Sequence, residues 1–380
     1  HQREFGATVL EFGVDFRLKE RDSLITAAEI GAPGDPYDSF ELDSQFSLRE
    51  QRIDPYLMFS GRSDAFQWEA GLRYEMTEVE IEGFADYDDD DIDDFDRADS
   101  DYAFLLPSAH VRFDLTENDR LNFSVARTVR RPNFDVLSPV AEDESPTEDF
   151  SFIGNPQLEP ETAWGVDAGY ERRLGRGGIA GVNFFYRDIQ DLIEVAATGL
   201  TYEGLPLLSP QNVGDGSVWG VEFDFSAPLT VFGLENTGVF VNYSWLDSEV
   251  TDPVTGGERR FNDQAESVFN IGFIQDLPSL NSAFGASYRE QGDAFFRIQG
   301  EEGTTIYSGD LEIFIEHRIG DNFTIRFTGS NLLDAEKEEI YRTYANLPSQ
   351  LNPAIEPDEE LEFEREESGP VFQLVGRYAF

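Results

Sequence analysis

The sequence predicts an all-β chain, an antiparallel transmembrane β-barrel of the outer-membrane type with about fourteen strands visible. The first observation is a period of two. Trp164, Val166, Ala168 and Tyr170 alternate with Gly165, Asp167, Gly169 and Glu171, giving one apolar and one polar or small face. This alternation lasts about ten residues per strand, the length a tilted strand needs to cross a ~30 Å hydrocarbon layer. The second is composition. No run of 18 apolar residues exists, which excludes transmembrane helices. The 33 Phe, 14 Tyr, 4 Trp and 33 Gly, against 2 Met and no Cys, suit aromatic-girdled strands joined by tight turns. The third is that short and long connections alternate along the chain, as they do in bacterial barrels with short periplasmic turns and long outer loops.

The strands follow in order. Leu10, Phe12, Val14, Phe16 and Leu18 form the outward row of the first, and a polar segment from Arg21 to about Arg49 is expected as a loop. Ile53, Leu57 and Phe59 mark the second, which turns at Gly61–Asp64 into the third, with Phe66, Trp68, Ala70, Leu72 and Tyr74. An acidic loop then runs to Asp101. Leu105, Ala109, Val111 and Phe113 mark the fourth strand, and Leu121, Phe123 and Val125 the fifth. A long loop from Arg130 to Glu161 precedes strands six and seven, which flank the turn Gly175–Gly178. Strands eight to eleven centre on Phe223, Val241, Ile271 and Ala286, and twelve and thirteen carry Leu311, Ile313, Ile315, Phe323, Ile325 and Phe327. A last loop spans Asp334 to about Gly369, and the C-terminus is the fourteenth strand. An even count, with the last strand entered from a long loop, places the start of strand one on the periplasmic side.

A net charge of -48 argues against a nucleic-acid partner, because phosphate binding needs clustered Lys and Arg. The absence of Cys fits an oxidising compartment. No G-x-S-x-G, H-E-x-x-H or phosphate-cradling Gly loop is present, so no enzyme and no cofactor are expected.

Several strings carry a family resemblance. Asn155-Pro156-Gln157-Leu158-Glu159-Pro160-Glu161, followed by Gly165 and Tyr170-Glu171, resembles the loop-to-strand junction N-P-x-L-x-P-E of TonB-dependent outer-membrane receptors. Leu105-Leu106-Pro107-Ser108, Arg131-Pro132-Asn133-Phe134, Gly220-Val221-Glu222 and Asn331-Leu332-Leu333-Asp334 resemble further strand signatures of that family. Phe372, Leu374, Tyr378 and the terminal Phe380 resemble its outer-membrane insertion signal, read by the barrel assembly machinery. The resemblance implies a barrel of 22 strands and an N-terminal plug of roughly 130 residues. Residues 1–380 match only the last fourteen strands, as a C-terminal portion of the barrel with no plug domain in the chain.

Candidate sites follow from charge and aromatic placement. Arg127, Arg130 and Arg131, at the outer end of strand five, offer bidentate contacts to an anionic ligand or to lipopolysaccharide phosphates; alternatively they pair with carboxylates in the barrel mouth. Tyr341, Arg342 and Tyr344 offer a stacking surface for a sugar or aromatic chelate, or else packing within the last outer loop. Ten of the sixteen residues Asp86–Asp101 are Asp, a composition suited to a hard cation or simply to a solvated loop, and Glu356–Glu367 is similar. His110 and His317 have no Cys beside them and are read as structural, so no metal site is expected.

By the resemblance, the intact protein sits in the outer membrane of a Gram-negative bacterium. It takes up a large scarce extracellular solute, such as a ferric siderophore, cobalamin or an oligosaccharide, with energy from TonB acting through the plug. Its other partners are outer-membrane lipid and lipopolysaccharide. The rival reading is a self-contained passive porin of fourteen strands, since an even number permits closure.

Overall fold

The computed structural model describes residues 2–28, 41–85, 95–138, 141–142, 150–175, 177–202, 205–344, 346–352 and 359–379. Fourteen strands build one continuous antiparallel wall: β1 (Thr8–Ala28), β2 (Glu41–Arg62), β3 (Phe66–Ala85), β4 (Phe95–Asp114), β5 (Asp119–Arg130), β6 (Glu161–Leu174), β7 (Gly178–Tyr202), β8 (Leu205–Pro228), β9 (Thr237–Thr251), β10 (Ser267–Leu277), β11 (Ser282–Gln291), β12 (Asp310–Ile319), β13 (Phe323–Ser330) and β14 (Val371–Tyr378). Each pairs with its neighbour in sequence, from β1 with β2 through to β13 with β14. These are the fourteen strands expected from the apolar alternation. Among the described residues no helix is long and apolar enough to cross a membrane, which says nothing against crossing by strands.

Register puts the apolar rows on a common outward face. Phe16 lies opposite Ile53, Phe12 opposite Leu57, and Leu57 in turn opposite Leu72. At the far end of the wall Ile315 lies opposite Phe327, and Phe327 opposite Leu374. All of these side chains are exposed in the isolated chain. Such a surface suits hydrocarbon, where the backbone groups must be paired within the sheet. The inward face is polar and includes Asp15, Arg52, Asp54, Arg73 and Glu75. The inward Phe185 ring packs against a glycine on the next strand: a Cβ on Gly220 would stand 2.8 Å from it.

Short turns close one end of the wall. Thr116 Oγ1 accepts from the Asp119 amide at 3.0 Å and donates to the Asp119 carboxylate at 2.6 Å, fixing the β4–β5 turn. The turn between β6 and β7 uses positive φ at Gly175 and Gly177.

The opposite end corrects the expected loop boundaries. Residues 21–28 and 41–49 of the expected loop are strand, since β1 and β2 stay paired from Thr8↔Gly61 to Ala28↔Glu41, while 29–40 fall outside the described residues. Residues 95–101 of the acidic run lie on β4, while 86–94 fall outside the described residues. The segment after Asp334 is likewise a hairpin rather than a loop: Glu336–Tyr344 pairs with Glu359–Glu367, and Glu301–Tyr307 and Ala294–Ile298 extend the same four-stranded sheet. Apolar alternation stops where the wall leaves the hydrocarbon layer, but backbone pairing does not require it and continues into water.

Among the described residues the two edge strands of the wall are not paired with each other. Gln2–Phe5 pairs with the start of β1, from Phe5↔Thr8 to Gln2↔Glu11. Among the described residues β14 pairs only with β13, and no ladder joins it to β1. Phe380 lies outside the described residues.

Candidate functional site at the long-loop end

Arg131 is the first residue beyond β5 and turns inward. Its Nη2 donates to Glu75 Oε2 at 2.6 Å and to Thr77 Oγ1 at 3.2 Å, and its guanidinium covers the Tyr102 ring at 5.7 Å. Glu75 belongs to a chain of alternating charge on the inner wall. Arg52 stands 3.9 Å from Glu75 and 2.8 Å from the fully buried Asp54, while Arg73 bridges Asp54 at 3.2 Å and Asp15 at 2.9 Å. Asp15 and Asp54 are direct cross-strand partners, an unfavourable like-charge pair that Arg73 neutralises. Arg130 pairs with the buried Glu161 at 3.1 Å, and Arg127 lies 6.0 Å over Phe104 with a long bond to Thr162 Oγ1. The three arginines thus share one end of the wall but engage separate partners.

Tyr341, Arg342 and Tyr344 sit on the strand Glu336–Tyr344, not in a loop. Arg342 Nη1 and Tyr344 Oη both donate to Glu302 Oε1, at 3.3 and 2.7 Å. Glu302 Oε2 accepts from Arg297, which also donates to the buried Asp252 at 2.9 Å. Arg259 pairs with Glu194 and stands 3.6 Å from Asp252. Burial works against ionisation of Asp252, but the bonds from Arg297, the Val254 amide and Thr255 outweigh it and hold its carboxyl below the usual range. Glu302 is lowered in the same way, its burial offset by Tyr344 and Arg297. Tyr344 is raised by burial and by its bond to Glu302. Tyr341 alternates to the other face, where its ring meets Phe296 edge-on at 5.9 Å; burial and then Glu339 push its phenol up.

His110 alternates inward and His317 outward, where Ser282 Oγ is 2.9 Å from its Nδ1. Among the described residues no group of three or more acidic or imidazole side chains is placed to hold a metal ion. The Glu356–Glu367 run is described only from Glu359, where it forms a strand.

Sequence reasoning missed the acidic partners Glu75, Asp252 and Glu302. Asp252-Pro253 is a turn signal, but nothing local marks Glu75 or Glu302 as acceptors for arginines tens of residues away. It also missed an apolar cluster at this end, in which Leu137 and Leu158 pack against Leu48, Val79 and Ile81 of the inner wall.

An outward apolar belt, a polar inner wall and internally braced strand extensions define the wall of an outer-membrane receptor barrel. The chain belongs to the TonB-dependent receptor family: residues 1–332 match the family described as TonB dependent receptor-like, beta-barrel. That family comprises receptors and transporters. Among curated proteins none matches the sequence. Solved structures of similar fold include the ferric citrate transporter FecA in its unliganded form, with a TM-score of 0.65, 14% identity, and coverage of 99% of this chain and 52% of that one. The ferric-catecholate import receptor Fiu from K12 E. coli gives 0.66 and 14%, covering 100% of this chain and 53% of that one. The copper transporter OprC gives 0.68 and 13%, covering 100% and 55%. The chain spans about half the length of these structures.

Proposed function

We propose that residues 1–380 are the C-terminal portion of the barrel of a receptor that takes up a large scarce solute across the outer membrane. The solute would be a ferric siderophore, cobalamin or an oligosaccharide, and TonB would supply energy through a plug domain outside this chain. The observation that carries the reading is the family match over residues 1–332, supported by the iron and copper transporters of like fold. The passive-porin reading is disfavoured by the edges, since β14 pairs only with β13 among the described residues.

In this reading Arg130, whose side chain is 73% exposed beside Glu161, offers the face most available to a solute. Arg131 and Tyr344 would contact it only by exchanging their present carboxylate partners, and Arg127, Tyr341 and Arg342 would line the same end. The barrel assembly machinery would read Phe372, Leu374, Tyr378 and Phe380, and lipid with lipopolysaccharide would cover the outward belt. The test is uptake by cells expressing the complete receptor, with and without TonB, of radiolabelled ferric siderophores, cobalamin and oligosaccharides. Saturable uptake of one of them that vanishes without TonB is expected. TonB-independent leakage of small solutes would favour the porin.

A further inference from the structure

We propose that the string Asn155–Glu161 is a latch that makes two long-loop segments, residues 131–138 with 150–160 and the β7–β8 stretches 190–202 and 205–213, open and close as one body. Asn155, Glu159 and Glu161 each make a bond to a segment distant in sequence. Asn155 N–H donates to Val136 O at 2.8 Å, and its Nδ2 donates to Pro210 O at 3.0 Å. Its Oδ1 accepts from the Gln157 amide at 2.9 Å, which holds the turn through Pro156. Glu159 and Asn212 exchange a reciprocal pair: Glu159 N–H to Asn212 Oδ1 at 3.0 Å, and Asn212 Nδ2 to Glu159 O at 2.9 Å. Asn212 Nδ2 also donates to Asp191 O at 2.7 Å, so one amide ties three backbone stretches together.

Glu161 completes the arrangement. Its Oε1 accepts from the Ile193 amide at 2.8 Å, and Ile193 follows a break in the β7–β8 register next to Asp191, whose φ is 58°. The irregular backbone frees the Ile193 N–H from the ladder and turns it toward β6. Apolar packing runs the same way, because Leu158 is buried against Leu137 and the inner wall, and Ile193 packs on that cluster. Gly154 allows the close approach, since a Cβ there would collide with the Ser138 carbonyl. The prolines at 156 and 160 contribute no N–H and fix φ between the bonding residues. Side chains from two segments therefore satisfy each other's backbone groups, and neither segment is satisfied alone.

Asn212, Asn155 and Glu161 act here as positioning residues, and the inference does not depend on which solute is carried. The test is amide hydrogen exchange by mass spectrometry on the complete receptor in lipid nanodiscs. Asn212→Ala touches neither Leu137, Ser138 nor Asn155, yet exchange at those three amides should rise roughly tenfold. Reciprocally, Asn155→Ala should speed exchange at Ile193 by a similar factor. Glu161→Gln, which keeps an acceptor for the Ile193 amide, should retain most of the protection that Glu161→Ala loses. If a variant fails to assemble, the unsubstituted protein still decides: under conditions where opening limits exchange, both segments should show one common opening rate. Changes confined to the substituted segment, or two unrelated opening rates, would overturn the latch.

Discussion

Arg131 Nη2 stands 2.6 Å from Glu75 Oε2, joining the first residue beyond β5 to the inner face of β3. Both side chains are about nine-tenths buried, so the pair is shielded from screening by salt. Arg131→Ala should cost about 1–3 kcal/mol rather than more, because Arg52 remains 3.9 Å from the same carboxylate. A double-mutant cycle with Glu75→Ala, read by thermal unfolding, should return a coupling of about 0.5–3 kcal/mol. Additive costs would show the pair to be incidental.

Ile325 and Thr324 test the register of the wall. Ile325 pairs with His317 and Gly376 on the outward face, and Thr324 with Arg318 and Arg377 on the inward one. Ile325→Arg should destabilise, by up to about 2–4 kcal/mol at the bilayer midplane, while Thr324→Gln, which adds no charge between Arg318 and Arg377, should be tolerated. Refolding into lipid vesicles measures both. Equal costs, or a larger cost at Thr324, would contradict this assignment of faces.

How much of this was legible in the sequence divides by physical cause. Outward rows such as Phe12-Val14-Phe16 are visible because the hydrocarbon layer demands a strict period of two. Strand ends were not, because outside that layer Glu78 faces Asp101 and Glu80 faces Asp99 in an unbroken ladder that no apolar pattern announces. The clustering of Arg130 and Arg131 was plain, but their partners Glu161 and Glu75 are brought to them only by the fold. The string ending in Glu161 stood out by resemblance, yet its role needs Ile193 and Asn212 beside it.

Asp252 gives the four-stranded extension a pH dependence. Its folded-state pKa lies below the unfolded value, so its contribution is complete above about pH 4 and is lost as pH falls through the lowered value. Exchange at the Val254 amide, which donates to Asp252 Oδ1 at 2.9 Å, should accelerate only in that acid range. Asp252→Asn should show the acid behaviour at neutral pH. Acceleration on raising the pH instead would contradict the sign.

Phe372, Leu374 and Tyr378 share the outward face with Phe327, whose ring stacks on Phe372 at 5.9 Å. Deleting Phe380 from the complete protein should lower its level in the outer membrane and leave a protease-sensitive periplasmic pool. Unchanged membrane levels would remove the insertion-signal reading.

The central claim, that these fourteen strands are part of a larger receptor wall and not a pore closed on itself, is tested most directly by disulfide trapping. The chain contains no Cys, so introduced pairs report cleanly within it. In the complete receptor in membranes, Phe327→Cys with Leu374→Cys should cross-link, since the two are direct partners on β13 and β14. Val14→Cys on β1 with Leu374→Cys on β14 should not. Efficient trapping of that second pair would place β1 beside β14 and contradict the account.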